Sequence, residues 1–249
     1  MDALCINQLD DDEKGHQVQM MKKIYETAEM VIVWLGMGTK HTDEAMRMLN
    51  LRNEDPKQCL TDADLADKEA LGLYYLYSGA TYWKRVWILQ EFVVARDYVV
   101  LCNRALATKE AFERLPRVCQ DYSTGSVLWF VFSGCPVVTM VALRDSRYSV
   151  SRPPVILDNW LDVLWRKGFR ATDSRDYIFA ILGISDDGDS IVVDYKLSQW
   201  EVFCAALSIT TGNGEIPLRG RISNTIRVAE LMGIPSDLAW KFLHETLKR

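Results

Sequence analysis

The first third of the chain shows apolar residues at helical spacing and then at strand spacing. From about residue 11 to residue 29 the apolar positions predict an amphipathic helix, which Asp10 and Glu13 open. These positions are Val18, Met21, Ile24 or Tyr25, and Ala28. Met30–Leu35 is rich in β-branched residues and predicts a buried strand. With residues 2–8 as a preceding strand, the order strand, helix, strand predicts a βαβ unit with a parallel sheet.

Further patterns extend this alternation to about residue 102. They predict a capped helix at residues 42–49, a loop at 50–61, helices at 63–77 and 82–95, and a strand at 98–102. The fold class predicted is therefore α/β, with a parallel sheet flanked by helices and a mostly helical region after it. The three regions predicted are an α/β domain at 1–105, a helical and mixed region packed on it at 106–210, and a terminal loop with helices at 211–249.

Composition narrows the function classes. The chain has 249 residues, 49% of them hydrophobic and 25% charged, as expected of a globular protein. Its formal net charge of −5 argues against a nucleic-acid partner. The cysteines form no C-x-x-C pair and the histidines are widely spaced, so no metal site is predicted. Acidic residues stand where a secretory signal would be basic, which favours a cytoplasmic protein with free thiols.

One stretch raises the question of a membrane span. Residues 122–143 carry no charge and are long enough to cross a bilayer. Gly125 and Ser126, and then the break at residues 133–136, divide the run into two short apolar segments. Two short segments are typical of buried strands or helices, so we expect no membrane association.

Three blocks of sequence carry a family resemblance. The first is Asp-Ala-Leu-Cys-Ile-Asn-Gln at residues 2–8, followed by the helix pattern and by Val-Ile-Val-Trp-Leu-Gly at 31–36. The second is Tyr-Trp-Lys-Arg-Val-Trp-Ile-Leu-Gln-Glu at residues 82–91. The third is Ala-Thr-Asp-Ser-Arg-Asp at 171–176, with the apolar run to Gly183 and Asp194-Tyr195 after it. In this order the blocks resemble the heterokaryon-incompatibility (HET) domain of filamentous fungi.

The resemblance implies both a fold and an incomplete amino end. The family has been related to the TIR fold, which is a flavodoxin-like α/β domain. Its members normally carry a further strand and helix, ending in a Trp-Ile pair, before the first block. Because Met1 stands where that Ile would be, we expect an amino-terminally truncated member whose sheet has unpaired backbone groups and an uncovered apolar face.

The second block suggests one chemical site. On a continuous helix Trp83, Trp87, Gln90 or Glu91, and Val94 would share one face. A carboxylate beside two indoles has a raised pKa suited to proton transfer, and the indoles offer flat faces to a ring or a sugar.

A structural alternative for Glu91 stays open. In it, Glu91 forms an ion pair with an arginine such as Arg85 or Arg96 while the tryptophans fill the core.

The first block supplies candidate ligand-binding residues. Asp2, Asn7 and Gln8 would lie at the carboxyl end of a parallel strand, where open α/β sheets bind ligands. Alternatively, Asn7 closes a turn and Asp10 caps the next helix. Cys5 is expected to be a small buried residue rather than a nucleophile.

In the third block, Arg175 and Asp176 either reach into the same candidate site as the first two blocks or tie two elements together.

Two functions follow from the resemblance. The first is an effector domain of fungal heterokaryon incompatibility, in which non-self recognition leads to programmed cell death through protein partners or self-association. The second is a TIR-like enzyme that cleaves NAD at its nicotinamide–ribose bond with Glu91 as catalytic carboxylate, or an inactive fragment of one. NAD is a substrate in that hypothesis, and no cofactor is implied. No glycine-rich phosphate cradle is present, so the sequence favours the effector.

Overall fold

A computed structural model describes residues 5–54, 65, 67–118, 126–149, 153–212 and 218–246. The α-helices are α1 (Asp11–Thr27), α2 (Lys40–Glu54), α3 (Asp67–Tyr74), α4 (Ile88–Val93), α5 (Lys109–Val118), α6 (Val127–Phe132), α7 (Pro136–Arg147), α8 (Leu157–Lys167), α9 (Asp176–Leu182), α10 (Gln199–Gly212), α11 (Leu218–Met232) and α12 (Ser236–Thr246). The strands are β1 (Val31–Trp34), β2 (Tyr98–Cys102) and β3 (Ala105–Thr108). The chain forms two compact units, residues 25–152 and residues 1–24 with 153–249.

The sheet belongs to the unit of residues 25–152. β1 runs parallel to β2, with Val31 opposite Tyr98, and the helices between them form the crossover that a parallel pair requires. β3 is antiparallel to β2, and the tight turn between them contains Asn103 at a φ of 53°. The predicted α/β class is confirmed, whereas the parallel partner of β1 is β2 and not a strand at residues 2–8. The whole sheet is small and mixed, because the unpredicted β3 returns by a hairpin.

The core of this unit is aromatic and lies under one face of the sheet. Val33, Tyr98, Val100, Cys102 and Ala107 point into it and are fully buried. Stacked and edge-on rings continue the core, namely Tyr77, Trp83, Phe92, Phe112 and Phe132. The α2 and α5 helices pack against β3, so one side of the sheet is covered by helices.

Residues 82–95 do not form the single helix that their spacing predicted. A 3₁₀ turn covers Thr81–Lys84, Arg85 is extended (φ −80°, ψ 133°), and α4 begins only at Ile88. The indole of Trp83 donates to the Leu76 carbonyl (2.7 Å) and its ring stacks on Phe112. These tertiary contacts compete with the local helical preference, which is a weak determinant on its own.

Two other predictions need correction. Residues 5–8 do not form a strand, while residues 1–4 lie outside the described residues. Residues 50–54 of the predicted loop at 50–61 are helical, because α2 continues through Glu54, and residues 55–61 lie outside the described part. The helix predicted at 11–29 and the strand predicted at 30–35 are confirmed as α1 and β1.

The uncharged run at residues 122–143 folds as short helices where the structure describes it. α6 ends at Phe132 and α7 starts at Pro136, and Gly134 between them has a φ of 73° that favours glycine. Pro136 occupies the first turn of α7, where its missing N–H costs nothing. Within the described residues, none of the helices has the length and apolar character that crossing a bilayer requires.

The second unit is helical. The start of α1 lies against the segment around Val193, where a Cβ on Gly15 would come 3.2 Å from the Val193 carbonyl oxygen. α8 packs on α11, and α11 packs on both α10 and α12. Trp200, Phe203 and Phe242 form one group of aromatic contacts, and Phe179 meets Tyr195 edge-on. The domain boundaries predicted at residues 105 and 210 stay predictions.

Candidate functional site

The second sequence block places a buried carboxylate between a phenol and a guanidinium. Glu91 on α4 is 7% exposed, and its Oε2 accepts a hydrogen bond from the Tyr82 hydroxyl at 3.0 Å. Arg85 Nη1 lies 3.7 Å from Glu91 Oε1. Burial, and then the Glu91 charge, raise the pKa of Tyr82 well above its usual value. Tyr82 therefore stays a hydrogen-bond donor to Glu91 across physiological pH. We call these three residues the Glu91 cluster.

Local structure explains how this cluster assembles. All six residues of α4 are buried, including the polar Gln90 and Glu91. The 3₁₀ turn and the extended Arg85 fold the chain back, so Tyr82 and Arg85 come over the end of α4 that carries Glu91.

The two tryptophans of the block have different environments. Trp83 is buried in the aromatic core, whereas Trp87 is half-buried and directly precedes α4. The prediction that both share one helical face with Glu91 is wrong, because Trp83 belongs to the separate 3₁₀ turn. The Glu91 amide donates to the Trp87 carbonyl, so these two residues do lie one helical turn apart. Gln90, beside them, is buried.

The first block lies at the surface where it is described. Cys5, Asn7 and Gln8 are exposed, and Asp2 lies outside the described residues. Asn7 Oδ1 accepts from the Leu9 amide (3.1 Å), while Asp10 Oδ1 accepts from the amides at the start of α1. The turn and the helix cap of the alternative interpretation are thus both present. The expectation that Cys5 is buried is wrong.

The third block forms a second cluster in the other unit. The Asp176 carboxylate is buried and accepts from the Tyr195 hydroxyl at 2.5 Å. Arg175 donates to both oxygens of Asp173 and to the carbonyls of Tyr195 and Leu197. This geometry ties two segments together. We call Asp173, Arg175, Asp176 and Tyr195 the Asp176 cluster.

Electrostatics reinforce the Asp176 cluster. Burial and the Asp176 carboxylate raise the pKa of Tyr195, so its hydroxyl remains a donor. Burial by itself would raise the pKa of Asp173, but hydrogen bonds from Arg175 outweigh it and hold that pKa below its usual value. The Lys14 ammonium lies 3.7 Å from the centre of the Tyr195 ring.

Sequence reasoning missed three polar partners. Tyr82 opens the second block and Tyr195 ends the third, and each donates to a buried carboxylate. Arg144 is buried, donates to the carbonyls of Phe92 and Arg96, and lies 3.3 Å from Glu113. The presence of a charged residue at the end of the apolar α7 was the available signal for Arg144.

Comparisons with known proteins give the context for these residues. Residues 1–91 match the family model described as heterokaryon incompatibility protein (HET). The chain is similar to heterokaryon incompatibility protein 6, OR allele, of Neurospora crassa, with 26% identity over 256 aligned positions, covering 80% of this chain and 36% of that protein. The chain thus spans about a third of the length of this curated relative. No solved structure matches it. The resemblance inferred from the sequence blocks is confirmed: residues 1–91 match the heterokaryon incompatibility (HET) family model, and 80% of the chain is similar to a heterokaryon incompatibility protein.

Proposed function

We propose that this chain is part of an effector of fungal heterokaryon incompatibility and acts by associating with a protein partner. The family match and the name of the Neurospora relative support the biological role. A cytoplasmic location and a cell-death outcome are parts of the same proposal. What supports association is the surface that the sheet leaves uncovered.

The outer face of the sheet is apolar and open. Ile32, Trp34 and Leu106 are 62%, 44% and 45% exposed, and Val99 and Leu101 beside them are half-buried. The strand register aligns Trp34, Leu101 and Leu106 in one row across the sheet. An antiparallel or mixed sheet with one solvated face normally alternates apolar and polar residues, so an apolar outer face indicates contact with another surface. This face is the single observation that carries the association proposal.

A paired substitution tests the proposal in cells. Ile32→Glu with Trp34→Glu places two charges on the open face without touching the buried core. Introduced into the full-length gene in the source fungus, it is expected to abolish the incompatibility reaction between strains. Leu9→Glu is the matched control, since Leu9 is almost fully exposed outside this face. Undiminished incompatibility in the doubly substituted strain, with normal protein levels, would refute association through this face.

The second candidate is the TIR-like NAD glycohydrolase. Its specific support is the buried Glu91 carboxylate, which Tyr82 and the half-exposed Arg85 hold in place. The same contacts also satisfy Glu91 internally, which is why we place the effector role first.

NAD consumption by the purified protein separates the two candidates. If Glu91 is catalytic, Glu91→Gln abolishes turnover while Glu110→Gln, at an exposed position of the same unit, leaves it unchanged. Absence of turnover in a folded, concentrated protein would eliminate the enzyme and leave the association proposal standing.

A further inference from the structure

A polar cavity in the unit of residues 25–152 has a lining that includes no residue of the Glu91 cluster. Its volume is about 280 Å³, and its lining residues are Glu26, Arg96, Arg147 and Tyr148. They come from the end of α1, the segment between α4 and β2, and the end of α7. Three separate elements therefore bring two guanidinium groups to one concave surface.

The two arginines are paired unequally. Arg147 Nη2 lies 2.7 Å from Glu26 Oε1, so Glu26 compensates one positive charge. The Arg96 side chain is exposed and makes no ion pair with any other residue that the structure describes. The lining therefore carries one uncompensated positive charge, in a protein whose formal net charge is −5. Such local reversal of charge favours an anionic ligand.

The walls of the cavity are held by internal hydrogen bonds. The buried Arg144 donates to the carbonyls of Phe92 (2.9 Å) and Arg96 (2.8 Å), which fixes the backbone that carries Arg96. The Tyr148 hydroxyl donates to the Val94 carbonyl at 2.9 Å. The Arg144 guanidinium also lies over the Tyr148 ring. A site whose frame is already ordered loses little entropy when it binds a ligand.

We propose that this cavity binds a small phosphate monoester. The phosphoryl dianion lies between Arg96 and Arg147 and competes with Glu26 for the Arg147 guanidinium. Two guanidinium forks match phosphate oxygens in geometry, and a dianion attracts both arginines more strongly than a single carboxylate does. The cavity is near the lower end of ligand pockets, which range over about 300–1,000 Å³, so the ligand is compact.

The exposed ring of Tyr148 provides the second contact. Its hydroxyl is occupied by Val94, so the ring offers an apolar face rather than a donor. A planar group attached to the phosphate would pack on this face. A phosphate ester with an aromatic ring is therefore expected to bind more tightly than an aliphatic one.

Calorimetric titration of the whole chain with three probes tests the site. The probes are inorganic phosphate, glycerol phosphate and phenyl phosphate, at low ionic strength. We expect saturable binding of all three, tightest for phenyl phosphate. Arg96→Gln should weaken binding by at least about tenfold, because a hydrogen bond between charged partners is worth at least that factor. Arg104→Gln makes the same charge change at an exposed position in the β2–β3 turn and should leave affinity unchanged.

A rise in affinity after Glu26→Gln is the result expected if the ligand binds between Arg96 and Arg147. It removes the competitor of the ligand and frees Arg147, so affinity should rise several-fold. Equal losses with Arg96→Gln and Arg104→Gln would show non-specific charge attraction and refute the proposal. Absence of saturable binding, or weaker binding after Glu26→Gln in a variant with an unchanged circular dichroism spectrum, would refute it as well.

Discussion

The Glu91 cluster and the Asp176 cluster, one in each unit, use the same kinds of side chain in different ways. In both, a tyrosine hydroxyl donates to a buried carboxylate, at 3.0 Å from Tyr82 and at 2.5 Å from Tyr195. In both, burial and the adjacent carboxylate raise the pKa of the tyrosine. The shared chemistry keeps a carboxylate hydrogen-bonded inside the protein.

The arginines distinguish the two clusters. The Arg85 side chain is 51% exposed and its guanidinium approaches Glu91 only to 3.7 Å. The Arg175 side chain is 22% exposed, and its guanidinium donates hydrogen bonds to Asp173 and to two backbone carbonyls. Arg175 therefore joins chain segments, whereas Arg85 keeps about half of its side chain exposed to solvent. The arginines of the second and third blocks thus differ in both exposure and hydrogen bonding.

The largest effect is expected at Arg175. Arg175→Ala removes the guanidinium that joins Asp173 to the carbonyls of Tyr195 and Leu197, and Asp173 keeps the backbone amide of residue 175 and the more distant Lys14. We expect a loss of about 3 kcal/mol in the free energy of unfolding. Denaturant titration measures it. A loss no greater than that of Arg85→Ala would show that the two arginines are equivalent.

The Tyr195 hydroxyl should likewise contribute more to the free energy of unfolding than the Tyr82 hydroxyl, but the difference should be smaller than between the two arginines. Tyr195→Phe leaves Asp176 without its shortest hydrogen bond, and we expect a cost of about 2 kcal/mol. Tyr82→Phe is the matched change in the other cluster, with an expected cost of about 1 kcal/mol because the bond is longer and Arg85 stays near Glu91. Reversed values in thermal or denaturant unfolding would contradict the ranking.

Low pH should destabilise the Asp176 cluster by protonating Asp173. The folded-state pKa of this carboxyl is lowered, so its contribution to stability is complete above the unfolded-state pKa of about 3.9 and is lost as pH falls through the lower folded value. The free energy of unfolding, measured from pH 7 to pH 2, should decrease more steeply below about pH 4 in the natural protein than in Asp173→Asn. Parallel curves would refute the linkage.

The smallest effect is expected at Arg85. Arg85 is half exposed and lies 3.7 Å from the buried Glu91, which keeps its hydrogen bond from Tyr82, so Arg85→Ala should change the free energy of unfolding by less than about 1 kcal/mol. The matched substitution Lys84→Ala, at an exposed neighbour, defines the background of a surface change. A cost above about 2 kcal/mol relative to Lys84→Ala would place Arg85 with Arg175 as a structural residue.

Sequence patterns located the long elements well. α1 and the first two strands were predictable because their apolar residues recur at one clear period and end at turn residues. The break at Arg85 was not predictable, since the local spacing favours a helix, and the contacts of Trp83 with Phe112 and the Leu76 carbonyl that oppose it are tertiary. β3 has the sequence Ala-Leu-Ala-Thr with a single β-branched residue, so it lacks the composition that marks the equally short β1.

The sequence by itself determined the α/β class and the resemblance to the HET family model, because these follow from residue identity and local periodicity. The tertiary structure alone decided which partner each polar group finds. Tyr82 reaches Glu91 through a bent chain, and Tyr195 reaches Asp176 across 19 positions of sequence. Arg96 and Arg147 line one cavity only because separate elements pack together. Contacts between distant positions depend on packing of the whole core, which no local pattern encodes.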